Sequence, residues 1–166
     1  MDISVSVASL GFPNIAGLAW GPENGTKVLC LHGHTDNAAT MAEIGPLLAN
    51  NGFRVVSLDM PGHGHSSHCR SGFYDGPLYV TVISRAVNNL GSEWERSKFF
   101  ILAHSMGQSV ASLFSGTFPE KVFGFVAIDG FGPFSNRDEE DVPDDIRRAL
   151  TEEKVLRSKV NSRFSM

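Results

Sequence analysis

Four short apolar runs, separated by helical patterns, constrain the fold of this chain more tightly than any other feature. They are Lys27-Val28-Leu29-Cys30-Leu31, Phe53-Arg54-Val55-Val56-Ser57-Leu58, Phe99–Leu102 and Lys121–Ile128. Runs of this length and continuity suit strands buried on both faces. Between the first two, Asn37 can cap a helix carrying Met41, Ile44, Leu47 and Leu48 on one side and ending near Asn51-Gly52. Between the second and third, a long loop from Asp59 to Pro77 precedes a stripe of Tyr79, Val82, Ile83, Ala86, Val87 and Leu90, closed by Gly91. Val110, Ala111, Phe114 and Phe118 give the last helix its apolar face, and Pro119 stops it. Strand and helix in strict alternation predict an α/β fold, a mostly parallel sheet with helices on its faces and right-handed crossovers. Ahead of this, Ile3–Ala8 alternates apolar and polar, and Asn14–Trp20 follows the Gly11-Phe12-Pro13 break. That pair reads as two antiparallel strands at the start of the sheet.

The length of 166 residues fits one domain with a real core. A formal net charge of −4 argues against a nucleic-acid partner, and no stretch before residue 137 gathers basic residues with aromatics. No apolar run approaches the ~20 residues that a membrane-spanning helix requires. The first residues, Met1-Asp2-Ile3-Ser4-Val5-Ser6-Val7, alternate like a strand and lack the basic and long apolar stretches of a signal peptide. The two cysteines are Cys30, inside an apolar run, and Cys69, in a loop. They form no disulfide framework, so the expected setting is reducing and cytoplasmic.

The third apolar run also carries the chemistry. It continues into Ala103-His104-Ser105-Met106-Gly107, a serine between small residues where a strand turns directly into a helix. A sharp corner of that kind exposes a hydroxyl, and its sterics exclude large side chains two positions away. The alternative is an ordinary helix N-cap serine. A serine hydroxyl is a weak nucleophile until a base takes its proton. The six histidines are His32, His34, His63, His65, His68 and His104, and none follows Ser105. His63, His65, His68 and Cys69 stand on a Gly/Ser loop without a recognised zinc spacing, so no metal is expected there. No cofactor is implied either.

Three blocks resemble the α/β-hydrolase superfamily: Leu31-His32-Gly33-His34-Thr35-Asp36-Asn37, Leu58-Asp59-Met60-Pro61-Gly62-His63-Gly64-His65-Ser66, and Ala103-His104-Ser105-Met106-Gly107. With Phe118-Pro119-Glu120-Lys121-Val122 after the third, their order and spacing are most similar to serine hydrolase-like proteins. The resemblance runs from near the N-terminus to Pro133. It departs at Ala103, where glycine is commoner, and at Gln108, where a second glycine would let helix and strand pack more closely. It implies Ser105 as nucleophile, and the backbone N–H groups of Met106 and His34 as an oxyanion hole. Asp129, at the end of the strand after the nucleophile's helix, stands where some relatives carry the acid that orients the histidine. The other reading of Asp129 is a turn residue before Gly130. Asp59 is expected to brace its loop and His32 the oxyanion loop.

The family fold continues through a helical cap and further strands before its catalytic histidine. Residues 1–135 therefore read as the N-terminal part of the core, and residues 136–166 as a linker and the start of the cap. The expected function is hydrolysis of a small ester- or thioester-like substrate through an acyl-enzyme, with this chain a fragment or short isoform. The alternatives are an inactive truncated product and a small-molecule-binding pseudoenzyme. A sheet ending at Lys121–Ile128 would leave an apolar edge open to pairing with another chain.

Overall fold

The computed structural model describes residues 1–7, 12–69 and 74–130. The expected boundary near residue 135 and the expected linker and start of the cap over 136–166 lie outside them. The strands are β1 (Asp2–Val7), β2 (Phe12–Trp20), β3 (Thr26–Leu31), β4 (Phe53–Leu58), β5 (Phe99–His104) and β6 (Val122–Ile128). The helices are α1 (Ile44–Asn50), α2 (Gly76–Asn89), α3 (Ser92–Arg96) and α4 (Met106–Thr117). The strands form one sheet in the order β1-β2-β4-β3-β5-β6. β1 and β2, and β2 and β4, pair antiparallel; every pair from β4 to β6 is parallel. This is the mostly parallel arrangement that the apolar runs predict.

The core divides across the sheet. On one face α2 and α4 bury Val82, Ile83, Ala86, Val110 and Phe114 against Leu29, Leu31, Phe99 and Ile101. On the other, Met41 and Leu48 cover Val28, Cys30, Val55 and Leu102. Helices on both faces are thus realised. Burial pushes the Cys30 thiol up to about 12, so it serves as a small apolar side chain.

Two local readings need correction. Asn37 does cap, accepting from the Ala39 N–H at 2.9 Å, but it caps one 3₁₀ turn over Ala38–Met41 instead of a continuous helix. Pro46 has no N–H to continue a helical ladder, and α1 begins afresh at Ile44 with that proline in its first turn. The proposed stripe consequently splits: Met41 is buried, while Ile44 and Leu47 are exposed. The sequence also holds α3, unrecognised because five residues are too few for a period; its Trp94 is buried beside Phe99.

From β3 the chain crosses through α1 to β4 on one side, then returns through α2 to β5 on the other. The reversal lies between β3 and β5. Crevices outside the carboxyl ends of strands at such reversals are where open α/β sheets bind ligands.

Candidate active site

Ser105 stands at that reversal. It follows the last residue of β5, precedes the first of α4, and adopts φ 47° and ψ −117°. A positive φ on a residue with a Cβ is strained, and it persists only where surrounding structure enforces it. Two contacts enforce it here. The Ser105 N–H donates to the Ile128 carbonyl at 3.0 Å, fastening the corner to the end of β6. Gly107 lies so close to β3 that an added Cβ would stand 2.4 Å from the Leu31 carbonyl oxygen. Ser105 holds the N-cap position of α4, but its side chain makes no capping hydrogen bond. Among the described residues, nothing hydrogen-bonds its hydroxyl.

The segment after β3 packs directly against this corner. A Cβ added at Gly33 would lie 3.3 Å from the Ser105 Cβ and 2.9 Å from His104 Nδ1. His34 is exposed beyond it, with its ring edge-on to His63 at 6.1 Å. Met106 is the first residue of α4, so its N–H has no carbonyl one turn earlier to bond. The positive end of the α4 dipole lies at the same place.

His32 braces this segment. Its Nδ1–H donates to the Gly33 carbonyl at 2.7 Å and its Nε2 accepts from the Met60 N–H at 2.8 Å. With both nitrogens used, it cannot take a proton from Ser105. Asp59 is equally committed. Its carboxylate accepts from the Ala38 N–H at 2.6 Å and the His65 N–H at 2.8 Å, and its carbonyl from the Ser66 hydroxyl at 2.6 Å. Ser66 Oγ in turn accepts from the Ala16 N–H, joining the loop to β2. His63 Nδ1 contacts the Pro61 carbonyl at 3.0 Å. Among the described residues no group of three His, Cys, Asp or Glu side chains is arranged to hold a metal ion.

Asp129 follows β6 with φ 56°, and its side chain is exposed. No described histidine bonds to it. Gln108 is buried, with its Nε2 donating to Ser109 Oγ at 2.9 Å, and it fills the space beneath Gly130. The close fit of Gly33, His104 and Ser105 was not foreseen, because side-chain packing between separate segments leaves no periodic signal. A cavity of about 640 Å³ beside the loop, lined by Asn14, Asn37, Asp59 and His65, does not include Ser105.

The family model for serine aminopeptidase, S33, matches residues 22–158. A serine hydrolase-like protein of Danio rerio is 46% identical over 119 residues, which is 71% of this chain and 35% of that protein. The crystal structure of a hypothetical protein from Pseudomonas aeruginosa PAO1 superposes with a TM-score of 0.80 at 33% identity, covering 94% of this chain and 52% of that one. A thioesterase domain from the curacin biosynthetic pathway gives a TM-score of 0.78 at 23% identity, covering 93% and 54%, a likeness of fold alone. The chain thus spans about a third of the Danio rerio relative's length and about half of the bacterial chain's.

Proposed function

Because this chain belongs to the serine aminopeptidase S33 family of α/β-hydrolases, we propose that it carries the nucleophile half of a serine hydrolase acting on small ester- or thioester-like acyl compounds. Ser105 Oγ attacks the acyl carbon, and the N–H groups of Met106 and His34 receive the charge that develops on the acyl oxygen. The observation that carries the reading is the strained corner itself, φ 47° at a serine whose hydroxyl caps nothing. Strain of this kind collects where a side chain must be aimed.

General-base catalysis is the missing half. The chain's six histidines all precede Ser105 in sequence, and none is hydrogen-bonded to it. Turnover therefore calls for an imidazole from additional polypeptide, and Asp129 is the candidate to orient it. Without that imidazole, activity should fall by as much as ~10⁶, the loss seen when a serine protease loses its histidine. A cytoplasmic setting belongs to the same proposal, supported by Cys30 and Cys69, which form no disulfide. Among the described residues no helix is long and apolar enough to cross a membrane.

A fluorophosphonate probe tests the nucleophile, because phosphonylation reports a single attack by the hydroxyl, slow without its base, and needs no turnover. The expected result is slow labelling of the wild-type chain and none of Ser105→Ala. Equal labelling of the two proteins would refute it. A second reading, a small-molecule-binding protein without catalysis, draws on the absence of any imidazole bonded to Ser105. It requires ligand-induced thermal stabilisation that survives Ser105→Ala.

A further inference from the structure

His104 occupies an unusual position for a polar side chain. It ends β5, pairs in register with Ile128, and precedes Ser105. Strand alternation puts its ring on the face of Leu102, the side covered by the 3₁₀ turn and α1. There its Nδ1 is buried without a hydrogen-bond partner among the described residues. A buried polar atom left unpaired is unfavourable, and in a native protein it calls for an explanation. The ring presses on the backbone of Gly33, where a Cβ would meet Nδ1 at 2.9 Å and Cε1 at 3.3 Å. Two residues along, Thr35 has φ 60°, a strained position in the same segment. Asp36 is held below the usual carboxylate range chiefly by the Thr40 hydroxyl, with the Asn37 N–H, 2.9 Å from its carboxylate, adding to the effect.

Gly33 is therefore gripped from both sides. His32 holds its carbonyl, and His104 lies against its Cα. The first contact is already a hydrogen bond. The second has a nitrogen available but no donor.

We propose that His104 is a positioning residue for the loop after β3: when an acyl oxygen occupies the site, His104 Nδ1 accepts a backbone N–H from the Thr35–Asp36 segment and holds the His34 N–H on that oxygen. This rests on Ser105 being the nucleophile and adds a residue that acts without touching the substrate. No proton is transferred; the neutral ring carries its proton on Nε2 and accepts at Nδ1. The cost of the unpaired nitrogen is thereby confined to the resting state.

The experiment compares wild type, H104N and H104F for fluorophosphonate labelling rate, thermal midpoint, and amide exchange of residues 33–36 before and after phosphonylation. Asn presents a polar atom close to where Nδ1 stands, whereas Phe fills the space without one. Expected labelling is within about threefold of wild type for H104N and at least about tenfold slower for H104F, the factor appropriate to one hydrogen bond. Loop exchange should slow on phosphonylation in wild type and H104N, and not in H104F. Should H104F fold poorly, H104L supplies the apolar comparison. Apolar variants labelling at the wild-type rate, or H104N slowing as much as they do, would overturn the proposal and leave Ser105 intact. A wild-type chain that never labels removes the nucleophile reading, and the His104 assignment with it.

Discussion

His32 illustrates how far a single side chain can be committed. It is fully buried, donates from Nδ1 to the Gly33 carbonyl and accepts at Nε2 from the Met60 N–H. Only the neutral ring can do both, since an imidazolium has two donors and nothing to accept with. Burial is the main reason its pKa lies below the ordinary 6.5, the Gly33 carbonyl opposing and His63 reinforcing the shift. The unfolded chain therefore binds this proton more readily than the folded one. Its contribution to stability is present in full above about pH 6.5 and is lost as pH falls through the folded value. Urea unfolding from pH 7.5 down to 5 should show a falling midpoint. Histidine ring NMR should find His32 still neutral at a pH where an ordinary histidine is half protonated. If His32 titrates at or above 6.5, the locked-ring account fails.

The elements respond to different forces, as the segment from Asn37 to Asn51 makes plain. A four-residue apolar stripe looks like one helix face, yet Pro46 divides the segment, and only Met41 reaches full burial. Leu47 remains 63% exposed. Met41→Ala should therefore cost about 2–5 kcal/mol, while Leu47→Gln should stay within about 0.5 kcal/mol. Urea midpoints measure both, and a large loss at Leu47 would restore the continuous-helix reading. The same contrast explains what could be read in advance. β3, β4, β5 and β6 were legible because strands buried in a parallel sheet need unbroken apolar runs, and those are conspicuous. The corner at Ser105 was legible because its small neighbours are a steric requirement, which Gly107 meets by lying against the Leu31 carbonyl. Trp94 in α3 and the contact of His104 with Gly33 were not. The first belongs to too short an element, and the second depends on how two distant strand ends meet.

At the scale of the whole molecule, the sheet formed by the described residues has two unlike edges. β1 begins with Asp2 and carries Ser4 exposed, a polar boundary. β6 reads Val-Phe-Gly-Phe-Val-Ala-Ile, with neither charge nor proline to discourage another strand. Phe123 is 64%, Val126 59% and Ile128 43% exposed, and Phe123 stacks on the exposed Phe100 at 5.5 Å. Lys98 lies over the Phe123 ring, and the charges flanking the strand, Lys121 and Asp129, stand outside its apolar run. An apolar segment of this length and β-propensity favours strand pairing and aggregation. We therefore expect the isolated chain to self-associate through β6. Val126→Lys is the sharper test, because the side chain points outward from a residue paired with Leu102 and leaves the backbone register unchanged. It should lower the weight-average mass in sedimentation velocity, whereas Ser4→Lys on the opposite edge should not. Identical sedimentation of wild type and Val126→Lys would refute association through β6.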